Sequence, residues 1–140
     1  MDEYQRGVEF ANGQMALRNW KDIEGEYVLI LDDDDVLNDP DLIGKLKTFP
    51  APDLFMVKMH HGPWGILPAE TWENAPQRGR QGCSCVIPSK ALFLEAVKAY
   101  KPKYDGDFDF VAACYDRAET VVWLDTVATR VQQVGALTKV

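Results

Sequence analysis

The sequence predicts an α/β fold with a mixed sheet flanked by helices, and three observations carry that reading. Apolar runs of strand length recur at Glu26–Leu31, Leu54–His60, Cys83–Ile87 and Thr120–Leu124, with Thr126–Val131 extending the last. Stretches with helical spacing of apolar residues lie between them. The resulting order is helix, strand, helix, strand, long loop, strand, two helices, strand, which is neither all-α nor all-β. With 140 residues the chain fits a single domain, 1–140, large enough to bury a real core.

Each element has a local reason. Val8, Ala11, Met15, Ala16 and Trp20 fall on one helical face, weakened by Gly13. Glu26–Leu31 is almost continuously apolar, so it reads as a central strand covered on both faces. Asn38-Asp39-Pro40 marks a helix start, Leu42, Ile43, Leu46 and Phe49 follow on one face, and Pro50 and Pro52 end it. The stretch Gly62–Gly82, rich in proline and glycine, reads as a long loop with room for a short hairpin, and loops of that length often carry function. Ser89 is placed to cap a helix bearing Leu92, Ala96, Val97 and Tyr100. A further helix is expected from about Asp107 to Arg117, with Phe108, Val111, Ala112 and Tyr115 inward.

Composition excludes several functions. Hydrophobic residues make up 46% and charged residues 26%, an ordinary globular balance. A net charge of -7 argues against a nucleic-acid surface. No apolar run reaches transmembrane length, and no leader pattern opens the chain. Cys83, Cys85 and Cys114 have no zinc-ligand spacing and read as small buried thiols, which fits a reducing, cytoplasmic setting.

The chemistry concentrates in Asp32-Asp33-Asp34-Asp35, which closes the apolar run Tyr27–Leu31. Carboxylates about 5 Å apart repel by roughly 3 kcal/mol per pair at an effective dielectric near 20. A hard divalent cation would offset that repulsion and would also recruit phosphate oxygens. The competing reading is a polar turn that starts the next helix.

These residues resemble a known family. Gly13-Gln-Met-Ala-Leu-Arg-Asn19 followed by Gly25-Glu-Tyr-Val-Leu-Ile-Leu-Asp-Asp-Asp-Asp-Val36 resembles the centre of a family 2 glycosyltransferase of the GT-A fold. Ala16, Arg18 and Asn19 match its helix loosely, Gly25, Glu26 and Tyr27 the approach to the strand, and Asp32, Asp34 and Asp35 the acidic motif. Cys85–Phe93 resembles the strand and helix after the acceptor loop, and Gly106-Asp-Phe-Asp-Phe110 the motif that opens a helix and supplies the catalytic base, with Gly106 where the family has glutamate. The resemblance spans about residues 12–131. It implies a partial GT-A-like sheet and metal-dependent inverting transfer of a sugar from a nucleotide-sugar donor to an acceptor hydroxyl. It places Mg²⁺ or Mn²⁺ on Asp32 and Asp34 and the base at Asp107. Arg18, Asp35, Trp64 and Asp109 fall on the substrate side.

The family's opening strands, which hold the nucleotide base and ribose, have no match before Asp32. A fragment, a minimal natural version and a degenerate, non-catalytic module all fit that pattern. Loss of those neighbours would leave an apolar strand edge and favour a homo-oligomer. Other readings compete at single residues. Asp107 also reads as a helix cap, Arg18 as a solvated surface charge, and Trp64 and Trp72 as loop anchors in the core. One of His60 and His61 would complete a metal shell or line the acceptor cleft; the alternative is a surface histidine. Leu31-Asp32-Asp33-Asp34-Asp35-Val36 also fits a haloacid dehalogenase-like phosphatase, with Asp32 as nucleophile, Asp34 as general acid and Asp107 with Asp109 as a second acidic pair.

Overall fold

Residues 2–32, 35–69 and 72–131 are described by a computed structural model of the chain. The elements are α1 (Glu3–Leu17), β1 (Val36–Leu37), α2 (Leu42–Leu46), β2 (Leu54–His60), β3 (Ile66–Leu67), β4 (Val86–Pro88), α3 (Lys90–Ala96), α4 (Gly106–Arg117) and β5 (Val121–Arg130). The architecture is mixed α/β, an open mixed sheet flanked by helices. β2 is its axis. It runs parallel to β5 on one side and antiparallel to β4 and β3 on the other, while β1 closes the far edge against β5.

Strand alternation assigns each β2 side chain to a face. Leu54 and Met56 pack with Val86, Phe93, Phe110 and Val111 beneath α3 and α4. Phe55 and Val57 pack on the opposite face with Leu42, Ile87 and Ala128. β5 follows the same rule, with Trp123 on the first side and Val122 and Leu124 on the second. Its register against β2 slips between Met56 and Lys58. Near that slip Thr126 donates to the buried Asp39 at 2.5 Å, and Lys45 reaches the same carboxylate oxygen at 2.6 Å. These bonds hold Asp39 well below the usual carboxylate range, at about 2. The network fastens the turn before α2 to the sheet.

Several expectations meet the structure directly. β2 occupies Leu54–His60 as expected. Ser89 accepts the Leu92 N–H and caps α3. The Gly62–Gly82 loop opens with a short hairpin, since β3 pairs back onto Met59 and His60. The first helix starts earlier than its apolar pattern, because Asp2 and Gln5 form a reciprocal capping box at its amino end.

Two strand expectations need correction. Tyr27–Leu31 is not a central strand. Tyr27 makes one antiparallel bridge to Ser89, Val28 donates to the Pro88 carbonyl, and no described strand lies beyond. Both faces of this segment are nonetheless partly covered, Val28 and Ile30 on one core cluster and Tyr27 and Leu29 on the other. Apolarity on both faces reports coverage, and coverage does not require a second neighbour in the ladder. Cys83–Ile87 is likewise not one strand. Cys83–Cys85 turns as a 3₁₀ helix and only Val86–Pro88 joins the sheet. Cys83 and Cys85 therefore do not alternate along a strand.

Candidate functional site

A cleft of about 930 Å³ opens between α1, the turn after Ile30, the β2–β3 hairpin and the start of α4. Its size is that of a small-molecule site. α1 forms one wall with residues from Glu3 to Met15. The helix is held there by Asn12, which donates to the Lys103 carbonyl at 2.8 Å, and by Gly13, which leaves room for Pro102.

Six of the candidate site residues singled out from sequence meet in this cleft: Arg18, Asp32, Asp35, His61, Trp64 and Asp107. The Asp35 N–H donates to the Asp32 carbonyl at 3.0 Å, which holds these two residues together. Asp34 lies outside the described residues, as does Asp33. Among the described residues no three histidine, cysteine, aspartate or glutamate side chains gather as a metal shell.

Asp107 is the second residue of α4. The cap position belongs to Asp105, whose side chain makes no capping bond. The reading of Asp107 as a cap is thus corrected: Gly106 begins the helix one residue earlier. Burial pushes its carboxyl up to about 6, and the nearby Asp32 charge adds to the shift. The backbone N–H groups of Phe108, Asp107 itself and Cys83 donate to it and oppose that rise. A half-buried carboxyl held near neutrality by burial is suited to exchanging protons at physiological pH.

The floor beneath the two carboxylates has no signature in the sequence. Tyr100 is buried and stacked on Phe110, with centroids 5.0 Å apart, and its hydroxyl is hydrogen-bonded to the Cys83 thiol. Burial raises both groups above their usual values, and the Asp32 and Asp107 charges raise the thiol further. Tyr100 comes from the end of α3's extension and Cys83 from the turn before β4, so no local pattern joins them. His61 also lines the cleft. Burial lowers its pKa, and its Nδ1 is buried with no hydrogen-bond partner.

Two residues lie elsewhere. Asp109 is turned into a cationic cluster, with Arg78 at 3.4 Å and Lys101 and Lys103 each at 3.6 Å. That placement sets it apart from Asp107, which lines the cleft. Trp72 anchors the long loop, edge-on to Trp123 at 5.2 Å with the Lys58 ammonium 4.6 Å from its ring centre. Trp64 differs: it is 59% exposed at the cleft mouth, as is the 70% exposed Phe10 across from it on α1. No protein-family model matches this chain. No curated protein matches it either. Among the described residues no helix is long and apolar enough to cross a membrane.

Proposed function

We propose that this cleft carries out metal-dependent, inverting transfer of a sugar from a nucleotide-sugar donor to an acceptor hydroxyl, on a partial GT-A-like fold. The observation that carries the reading is the convergence of Asp32 and Asp107. One closes an apolar segment and the other opens a helix, yet the charge of one is felt at the carboxyl of the other. The resemblance assigns those two positions to the metal and to the base.

The donor set suits a hard cation. Asp32 and Asp35 both line the cleft and offer carboxylate oxygens, and the Asp32 charge is already close enough to disfavour ionisation of Asp107. Mg²⁺ or Mn²⁺ held by Asp32, with Asp34 as the expected second ligand, would neutralise charge on a diphosphate leaving group. The chain's own residues do the rest. Asp107 accepts the acceptor hydroxyl's proton. Arg18, on the same cleft wall, is placed for a phosphate. Trp64 offers an exposed aromatic face to a sugar ring.

One observation favours a non-catalytic module instead. Among the described residues no strand lies beyond Tyr27–Leu31, the side where the family seats its nucleotide. Thermal unfolding separates the two readings. Mn²⁺ is expected to raise the melting temperature by several degrees, a sugar nucleotide to raise it further in the presence of the cation, and Asp32→Asn with Asp34→Asn to remove both effects. An unchanged cation response in the double variant would exclude this metal site. A cation response with no response to any sugar nucleotide would select the non-catalytic module.

A further inference from the structure

The wall of the cleft opposite α1 is the end of the long loop, where Gly79, Arg80, Gln81, Gly82 and Cys83 succeed one another along the opening. Just before this run stands Arg78. Its guanidinium reaches Asp105 at 2.7 Å and Asp109 at 3.4 Å, and it lies over the Phe108 ring at 4.7 Å. All three partners belong to residues 105–109, the turn that also carries Asp107. One side chain therefore grips that turn at two carboxylates and one ring face.

Residues 79–83 follow directly on that grip. The Arg80 N–H donates to the Gln77 carbonyl, and the Gln77 N–H to the Gln81 side chain, so residues 77–81 form a closed turn. Gly82 packs where a Cβ would lie 3.6 Å from the Met59 sulfur and 3.7 Å from an Asp107 carboxylate oxygen. At the end of the run the Cys83 N–H donates to Asp107. Trp72 on Trp123 anchors the loop on the far side of residues 73–77, and the buried Gln81 and the Cys85 N–H bonded to the Gly82 carbonyl hold the end of the run.

We infer that Arg78 is a strap: its grip on Asp105, Asp109 and Phe108 holds residues 79–83 closed against the start of α4, and its release opens that wall of the cleft. Arg78 is a positioning residue, acting on Asp107 through the wall and the Cys83 N–H. The inference stands independently of sugar transfer, because it concerns how the cleft closes and leaves its chemistry open. Both the guanidinium and the Asp105 carboxylate are half exposed, so salt screens the strap.

Cys83 reports on the wall directly. It lines the cleft, whereas Cys85 and Cys114 are fully buried in the core. The test is alkylation of the full-length native chain with iodoacetamide, with the rate at each cysteine read by mass spectrometry. In the wild type Cys83 is expected to react roughly fivefold faster at about 1 M salt than at low salt. Arg78→Ala should react at the fast rate in both conditions, and Arg78→Lys, which keeps the charge without the fork or the ring contact, should fall between. Cys85 and Cys114 should stay protected throughout. A Cys83 rate indifferent to both salt and Arg78→Ala would overturn the strap. So would a joint rise at all three cysteines, which reports loss of the fold. If Arg78→Ala does not fold, Arg78→Lys decides, and a Cys83 rate equal to the wild type's at low salt refutes the inference.

Discussion

Gly106→Ala is expected to lower the melting temperature by about 10 °C, reflecting a loss of about 3 kcal/mol. A Cβ at this position would lie 1.9 Å from the Lys101 carbonyl oxygen and 2.9 Å from its carbon. Both are backbone atoms, so no side-chain rotation relieves the overlap. Either α4 must retreat or the 101–105 turn must open, and both carry Asp107 out of place. Gly44→Ala in α2 is the control, since nothing lies within 4 Å of its added carbon, and helix propensity alone should make it neutral or stabilising by up to about 1 kcal/mol. The pair is read by thermal or urea unfolding. Equal stabilities for the two variants would show that the close approach at Gly106 is absent in solution. This contact also accounts for glycine at a position where the resemblance has glutamate: the Lys101 carbonyl occupies the space that any side chain needs.

Asp107→Asn is expected to make the protein more stable above neutral pH and, if the cleft transfers sugar as proposed, to abolish that transfer. The folded carboxyl titrates at about 6, against 3.8 for the free group, chiefly because burial disfavours its charge. A raised folded value means that the native state holds the proton more tightly than the unfolded chain. The associated stability is complete below about pH 4 and is lost as pH rises through 6. That shift corresponds to about 3 kcal/mol. The amide keeps the neutral form at every pH, so the variant should match the wild type below about pH 4, already exceed it near pH 5, and exceed it by about 3 kcal/mol at pH 8. Urea unfolding in a chelating buffer at these pH values measures this directly. Under the proposed transfer, turnover in the wild type should rise with pH through about 6, as Asp107 loses its proton. A variant that is less stable than the wild type at pH 8 would instead make Asp107 a structural residue. Full turnover in Asp107→Asn would remove the base role from this position.

The parts of the fold that can be read from sequence are those where one local pattern has one outcome. β2 is apolar except for Lys58 and ends at His60, Ser89 stands three residues before a free N–H that it caps, and α4 has a continuous inner face. Tyr27–Leu31 departs from its expected place because five apolar residues specify two covered faces and say nothing about which hydrogen-bonding edge is used. Cys83–Cys85 departs because two small residues flanking Ser84 fit a strand or a 3₁₀ turn equally well. At the site, Asp32 and Asp107 stand out as acidic residues at element ends, where ionisable side chains are costly to gather. Tyr100 and Cys83 give no such signal, since a tyrosine at a helix end and a lone thiol are ordinary core residues until the chain brings them together. Asp109 attracts attention by its place beside Asp107, but helix geometry turns adjacent-but-one residues to different sides.

The cleft and the sheet do not share one stability. Every β2 residue from Leu54 to Val57 is fully buried, whereas α1 has no described residue that is. α1 joins the rest through partly covered side chains and a few links such as Asn12 to Lys103. It belongs at the low-energy end of the native ensemble, where a segment can detach while the core stays intact. The amides of α1 should therefore exchange with solvent through local opening, well before those of β2. With α1 detached the cleft has lost a wall while the sheet still gives a folded spectrum, so binding will fade at denaturant concentrations where circular dichroism still reports a native protein. A ligand seated in the cleft would act as a fastener for this one helix. Its first signature would be slowed exchange along residues 3–17, appearing before any change at the core.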